Sequence, residues 1–419
     1  MTLKKQQFHT SAHFYLSMLI AFFLPIARLV PILILLLTLN WLIEGDLKNK
    51  FKRIASSPLA LLFCLFYLLH VLGLFYTDNM KSGNFDIQVK LSLFIFPLLY
   101  AGKPLQKEQL KPLFLSLISG GIICSFILLI RAIHLYTSTG ENNFFYEAFS
   151  SYLIHPSYLA MYLNVAMCWL LLQLQKNEPV FGKFSSVLSV SLILYFSFIL
   201  VLLSSKLGLL TLALIYLCSL IYYSRRKYIT GLIALFVCIV SGFAIIKFVP
   251  AVHERVKNAT NAITAVNTQN TDTESTAVRM LIWKAANQVI AENFLLGTGT
   301  GDSKDKLIAE YQRRGMTGAA EHRLNAHNEF YQVFVSLGLI GFVVFCLQLL
   351  IPLVISIRER NGLYTFFLLI IMLNFLTESM LEAEAGVIFY AFFNSVLCFT
   401  FYSKKLNTKT HDTIFATTH

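Results

Sequence analysis

Long apolar runs separated by short polar ones set the rhythm of this chain. They fall at 11–27, 29–43, 58–76, 85–101, 113–136, 156–174, 186–203, 207–223, 228–249, 328–355, 363–378 and 385–402. A helix of roughly 20 apolar residues crosses the hydrocarbon core of a bilayer, so runs of this length read as spanning or near-spanning helices. The pattern predicts an all-α membrane protein with about twelve transmembrane helices: nine in residues 1–249, three in 328–402, and a tail at 403–419. The first two runs meet at Ala27-Arg28 and predict a tight hairpin.

One polar excursion, 250–327, breaks this rhythm. Its first third, Asn258 to Thr276, is rich in Asn and Thr. A helix then follows from Ser275 or Thr276 to about Asn293, with Ile282, Ala286, Val289 and Ile290 near one face. Arg279 and Trp283 are four residues apart and share a side of that helix. The run Gly297-Thr-Gly-Thr-Gly301 ends it and permits positive φ. Asp302 with Asp305 predicts a capped second helix reaching about Arg314. The chain re-enters the membrane at His327-Asn328-Glu329-Phe330.

Composition supports the membrane reading: 56% of residues are hydrophobic and 13% charged, with a mean hydropathy of +0.65. The formal charge of +12 suggests nucleic acid at first sight. Its distribution argues for membrane topology instead, with no nucleic-acid partner. Lys48 to Arg53, Lys103 to Lys111, Lys176 with Lys183, Arg225 to Lys227, Arg358 with Arg360, and Lys404 to Lys409 all fall on one side of a twelve-span chain. By the positive-inside rule that side is the cytoplasm, which puts both termini inside and the 250–327 loop outside. The seven cysteines lie within apolar runs with no Cys-x-x-Cys pair, and read as small buried apolar residues.

Several basic residues sit at the outward ends of the runs: Arg28, Lys90, Arg131, Lys206 and Lys247, close to the loop that carries Arg279. Ionisable groups at that depth cost a few kcal/mol and face a partner or cavity. Taken singly, each can snorkel to anionic head groups. As a set they predict a site for a lipid-linked phosphate or pyrophosphate. A lone His at a helix start is commonly a cap, but His327 borders both the polar loop and this anion site, which makes it a candidate base. The glycine run lacks the Lys-Ser/Thr of a phosphate loop, and no Asp-x-Asp metal signature is present. No cofactor or metal is expected. Glu378, Glu382 and Glu384 read as a solvated outward turn, and Gly338-x-x-Gly341 as a site of close helix packing.

Arg279-Met-Leu-Ile-Trp283, Gly297-Thr-Gly-Thr-Gly301, His327-Asn-Glu-Phe-Tyr331 and Gly338-Leu-Ile-Gly341 together resemble the O-antigen ligase and O-antigen polymerase superfamily in order and placement. The resemblance implies a multi-pass enzyme of the bacterial inner membrane, GT-C-like in architecture. It would move glycan from undecaprenyl pyrophosphate to an acceptor without nucleotide sugar or metal. It further implies that Arg279 binds the donor pyrophosphate and that His327 is the base for the acceptor hydroxyl. Where relatives often place arginine after serine, this chain has Ser204-Ser205-Lys206, which keeps the charge but loses the bidentate fork. His155-Pro156-Ser157-Tyr158 also resembles relatives, without an assigned role. The expected function is ligation of glycan to a lipid A–core hydroxyl. The alternatives are polymerisation onto a second lipid-linked glycan, transfer to a protein hydroxyl, and transport of a lipid-linked glycan.

Overall fold

The computed structural model describes residues 3–26, 29–224 and 276–415. Every expected apolar segment within those residues coincides with a helix, and the segment at 228–249 lies outside them. The first two helices, Leu3–Phe23 and Val30–Ile43, form the expected hairpin. His9 Nδ1 lies 2.8 Å from Asn40 Oδ1, and Asn40 Nδ2 donates to His9 O at 3.0 Å.

Among the described residues fewer helices than the eleven apolar segments expected there meet the length and composition of a full span. Among the described residues seven helical stretches are long and apolar enough to cross a bilayer: Pro58–Tyr76, Met80–Gly102, Lys107–Thr139, Pro156–Lys176, Gly182–Leu203, Glu329–Arg358 and Glu384–Tyr402. An eighth is counted if Val30–Ile43 and Leu47–Ala55, bent by 111°, form one broken span. The reason is length and dilution. Leu3–Phe23 begins with Lys4, Lys5, Gln6 and Gln7. Gly362–Phe375 has 14 residues, about 21 Å at 1.5 Å per residue, short of the roughly 30 Å core.

Enclosure distinguishes central from peripheral helices. Most residues of the Glu384–Tyr402 span are buried, whereas most of those in the apolar part of Glu329–Arg358 are not, and Ile340, Val343 and Leu347 face outward. The central helix packs through aromatic rings, with Phe389 stacked on Tyr162 at 4.1 Å. Cys64, Cys124, Cys168 and Cys398 are buried as expected, while Cys218 is exposed on its helix.

The polar excursion builds a small helical lobe with its own core. Its helices are Thr276–Glu292, Ser303–Arg313 and Thr317–Glu321. Ile282, Ala286, Val289 and Ile290 bury the predicted face against Leu307, Ile308 and Tyr311. Val335 belongs to the same cluster, so the lobe core continues into the first turns of the Glu329–Arg358 helix. Fully burying one such aliphatic side chain contributes about 1.5–3 kcal/mol. The segment 258–275 lies outside the described residues.

Two local expectations change. Asp302 does not cap its own helix: its carboxylate accepts from the backbone of Asp78 (2.8 Å) and Asn79 (2.7 Å), which ties the lobe to the loop after Pro58–Tyr76. Gly338 is a backbone break, with φ +61° and ψ −160° inside the long helix. The glycine run fills that break. Thr298 N donates to Val335 O (2.9 Å), Gly299 N to Ser336 O (3.0 Å), and Leu339 N to Phe294 O (2.8 Å). An interrupted span is tolerated when its freed backbone groups find partners within the protein, as these do.

Gly338 and Gly297 are needed for this contact. A Cβ on Gly338 would stand 2.4 Å from Gly297 N, and one on Gly297 2.5 Å from Gly338 N. Gly338→Ala is therefore expected to lower stability by more than the roughly 1–3 kcal/mol of backbone strain alone. Thermal unfolding of the purified variant in detergent measures this, and an unchanged midpoint would contradict the account of the break.

Candidate active site

The turn at 376–383, between Gly362–Phe375 and Glu384–Phe415, is where the motifs of the lobe converge. Three consecutive residues grip it. His327 Nδ1 lies 3.4 Å from Glu378 Oε2. Asn328 donates from its backbone to Ser379 Oγ (3.2 Å) and from its side chain to Leu376 O (3.0 Å). Glu329 accepts from Leu381 N at 2.7 Å. Asn328 also caps the long helix, its Oδ1 accepting from Phe330 N and Tyr331 N. The sequence His327-Asn328-Glu329 thus serves as a helix start and a three-point clamp at once.

Arg279 reaches the same turn from the lobe. Its Nη1 donates to Thr377 O at 2.6 Å and its Nη2 to Glu378 Oε1 at 2.8 Å. Trp283, one turn along and on the same side, fixes that helix. Its Nε1 donates to Ala326 O (3.0 Å) and its ring stacks on Tyr331, 5.8 Å apart and within 5° of parallel. Glu378 therefore divides its two oxygens between Arg279 and His327. Its side chain is 22% exposed, so the cluster meets the surface rather than being sealed in the core.

Burial and neighbouring positive groups act on Glu378 in opposite directions. Burial pushes its carboxyl up, and the His327 hydrogen bond and Arg279 charge outweigh that, holding it below its ordinary 4.5. The group stays ionised at neutral pH. In the lobe, Asp305 is likewise held low, chiefly by the hydrogen bond from Asn79, with Arg323 adding to it.

The other basic candidates have separate placements. Lys90 is 1% exposed and donates to Asp86 and, at 2.9 Å, to Glu382 Oε1, so two carboxylates balance its charge. The acidic turn is thus not a free solvated one: Glu378 and Glu382 both carry ion pairs, which corrects the sequence reading. Arg131 donates to Ala148 O at 3.1 Å and lies 5.0 Å above the Tyr152 ring. Lys206 opens the helix Lys206–Ser224 as an exposed cation, after Ser204 with φ +47° and Ser205, whose Oγ accepts from Gly208 N. Arg28 and Lys247 lie outside the described residues. His155 caps its helix by accepting from Ser157 N at 3.4 Å, and its ring meets those of Tyr146 and Tyr158 edge-on.

Sequence reasoning missed Glu378 as a partner, along with the clamp made by Asn328 and Glu329. One signal was available: an acidic residue directly after an apolar helix, opposite a lone arginine and histidine. Among the described residues no group of three or more His, Cys, Asp or Glu side chains is arranged to hold a metal ion.

A bundle of apolar helices carrying a small polar lobe, with an Arg–Glu–His cluster where the two meet, defines a multi-pass all-α membrane protein with a candidate site at one end of the bundle. A family model described as O-antigen ligase matches residues 190–346, the stretch that holds Arg279, the glycine run, His327 and Gly338. That match supports a relationship to the O-antigen ligase/polymerase superfamily. No curated protein matches the chain.

Proposed function

We propose that the protein transfers glycan from undecaprenyl pyrophosphate to a sugar hydroxyl of lipid A–core, at the periplasmic face of the bacterial inner membrane. The observation that carries this reading is the Glu378 carboxylate shared between Arg279 and His327 Nδ1. A carboxylate on Nδ1 favours the tautomer that carries its proton there, leaving Nε2 able to accept one. This is the orienting role an acid plays in a Ser-His-Asp arrangement, and the 3.4 Å contact is of the looser kind seen before substrate binds.

The reaction then runs as a single displacement. The acceptor hydroxyl gives its proton to His327 Nε2 as its oxygen attacks the anomeric carbon. The bond from that carbon to the pyrophosphate oxygen breaks, and the electron pair leaves with undecaprenyl pyrophosphate. Attack opposite the leaving group inverts the anomeric centre. Arg279 has five N–H donors, and its two contacts to the turn leave others for phosphate oxygens. Lys206 supplies a second positive charge. Lys90 and Arg131 are further cations expected near the diphosphate, with the charge of Lys90 already balanced by Asp86 and Glu382. Positive groups aimed at the departing diphosphate stabilise charge as it develops.

The acceptor distinguishes this reaction from its closest alternative, polymerisation. Purified protein given undecaprenyl-pyrophosphate glycan and lipid A–core is expected to place the glycan on the core. Lengthened lipid-linked chains would establish a polymerase instead. Substrate movement without a new bond would establish a transporter and end the transferase reading.

A further inference from the structure

The hydrogen bonds that mend the Gly338 break also fix the height of a set of exposed apolar side chains. Phe294, Leu295 and Leu296 form the turn that follows the lobe's first helix and leads into the glycine run. Leu295 is 62% exposed, and its two neighbours are exposed as well. Their backbone is tied to the long span, with Leu339 N on Phe294 O (2.8 Å) and Ile340 N on Leu295 O (3.4 Å). A second element joins them: Tyr76 donates its hydroxyl proton to Leu296 O at 2.8 Å, and the adjacent Phe75 is 85% exposed. Four large apolar side chains standing free at a lobe surface have an unfavourable exposure that water alone does not explain.

Two independent length counts say what covers them. The Pro58–Tyr76 stretch has 19 residues and starts just after Lys52 and Arg53, so its far end stands about 28 Å from that basic edge. The long span ends at Arg358, and counting back to Gly338 gives about 30 Å. Both distances match the hydrocarbon thickness of a bilayer, roughly 30 Å. Phe75 and Leu295 therefore stand at one level, the boundary of the leaflet on the lobe's side. Ile340, Val343 and Leu347 continue the same apolar surface down the long helix at spacings of three and four residues, all exposed. Tyr76, with an apolar ring and a polar tip, suits that boundary.

We propose that Phe294, Leu295 and Leu296, together with Phe75, form a wedge that inserts among the lipid acyl chains of that leaflet and seats the lobe on the membrane. The glycine run and the Gly338 break exist to bring the wedge to this depth. The wedge also holds the helix carrying Arg279 at head-group height. The inference does not depend on the transfer reaction.

The test uses the full chain, its seven cysteines replaced, with a nitroxide attached at Leu295→Cys, Phe75→Cys or, as an aqueous control on the lobe, Arg313→Cys. The proteins are reconstituted in phosphatidylethanolamine–phosphatidylglycerol vesicles. Collision with oxygen and with a water-soluble nickel chelate is then compared. Labels at 295 and 75 are expected to show an oxygen-to-chelate ratio several-fold above that at 313. A ratio equal to the control's would place the wedge in water and overturn the proposal. Shielding from both reagents would mean that a protein surface, such as a second copy of the chain, covers it, and would overturn it equally. A second measurement keeps the native cysteines. Tryptophan fluorescence of Leu295→Trp in vesicles of lipids brominated near the carbonyl is expected to be quenched more than that of the unmodified chain, and no additional quenching would count against lipid contact.

Discussion

Replacing His327 is expected to lower glycan transfer by about 10²–10⁴-fold, the usual contribution of a positioned general base. The choice of variant matters because His327 has φ +45°, a conformation that costs an alanine energy and that asparagine tolerates. His327→Asn thus separates loss of the imidazole from backbone strain better than His327→Ala. Transfer close to the unmodified rate at matched membrane levels would remove the base from the mechanism. Glu378→Gln should follow in the same direction with a smaller loss, since it leaves the imidazole in place but removes the charge that steadies it once protonated. Its stability effect has a defined pH window. The folded carboxyl lies below its ordinary 4.5, so its ion pair contributes fully above that value and is lost as pH falls through the lowered one. The difference in unfolding temperature between the unmodified protein and Glu378→Gln should be constant at neutral pH and shrink only in acid.

The periodicity of apolar runs was sufficient for the helical segments, because spanning length is a strong local signal. The same runs overcounted spans, because a 14-residue helix and a longer one look alike when their boundaries are blurred. Arg279 and Trp283 were legible as a pair from their four-residue spacing, and their roles on one side of the helix follow from it. The partner of Arg279 was not. Glu378 is separated from it by 99 positions and from His327 by 51, and no local pattern encodes a contact of that range. Lys90 is the converse. Its depth rightly marked it as needing a partner, but the choice between an anionic ligand and the carboxylates of Asp86 and Glu382 is made by packing of distant segments. Gly338 read as a packing glycine because its positive φ arises only when the glycine run docks against it.

Arg279→Ala is expected to reduce turnover by about 10²–10³-fold, the scale on which a single donor to developing negative charge acts. Two explanations would produce that loss, contact with the departing pyrophosphate or mere support of Glu378, and combining the variants tells them apart. If Arg279 only positions Glu378, Arg279→Ala should cost nothing further once Glu378→Gln is present. If it also stabilises the leaving diphosphate, the double variant should be slower than either single one. We expect the second outcome, because a guanidinium that spends two donors on Thr377 O and Glu378 still has others to offer. Arg279→Lys sharpens the distinction. An ammonium keeps the charge but cannot span the Thr377 carbonyl and the Glu378 carboxylate as a planar fork does, so it should recover part of the rate and little of the turn's rigidity. A lysine variant as slow as alanine would mean that geometry, not charge, is what the diphosphate requires of this position.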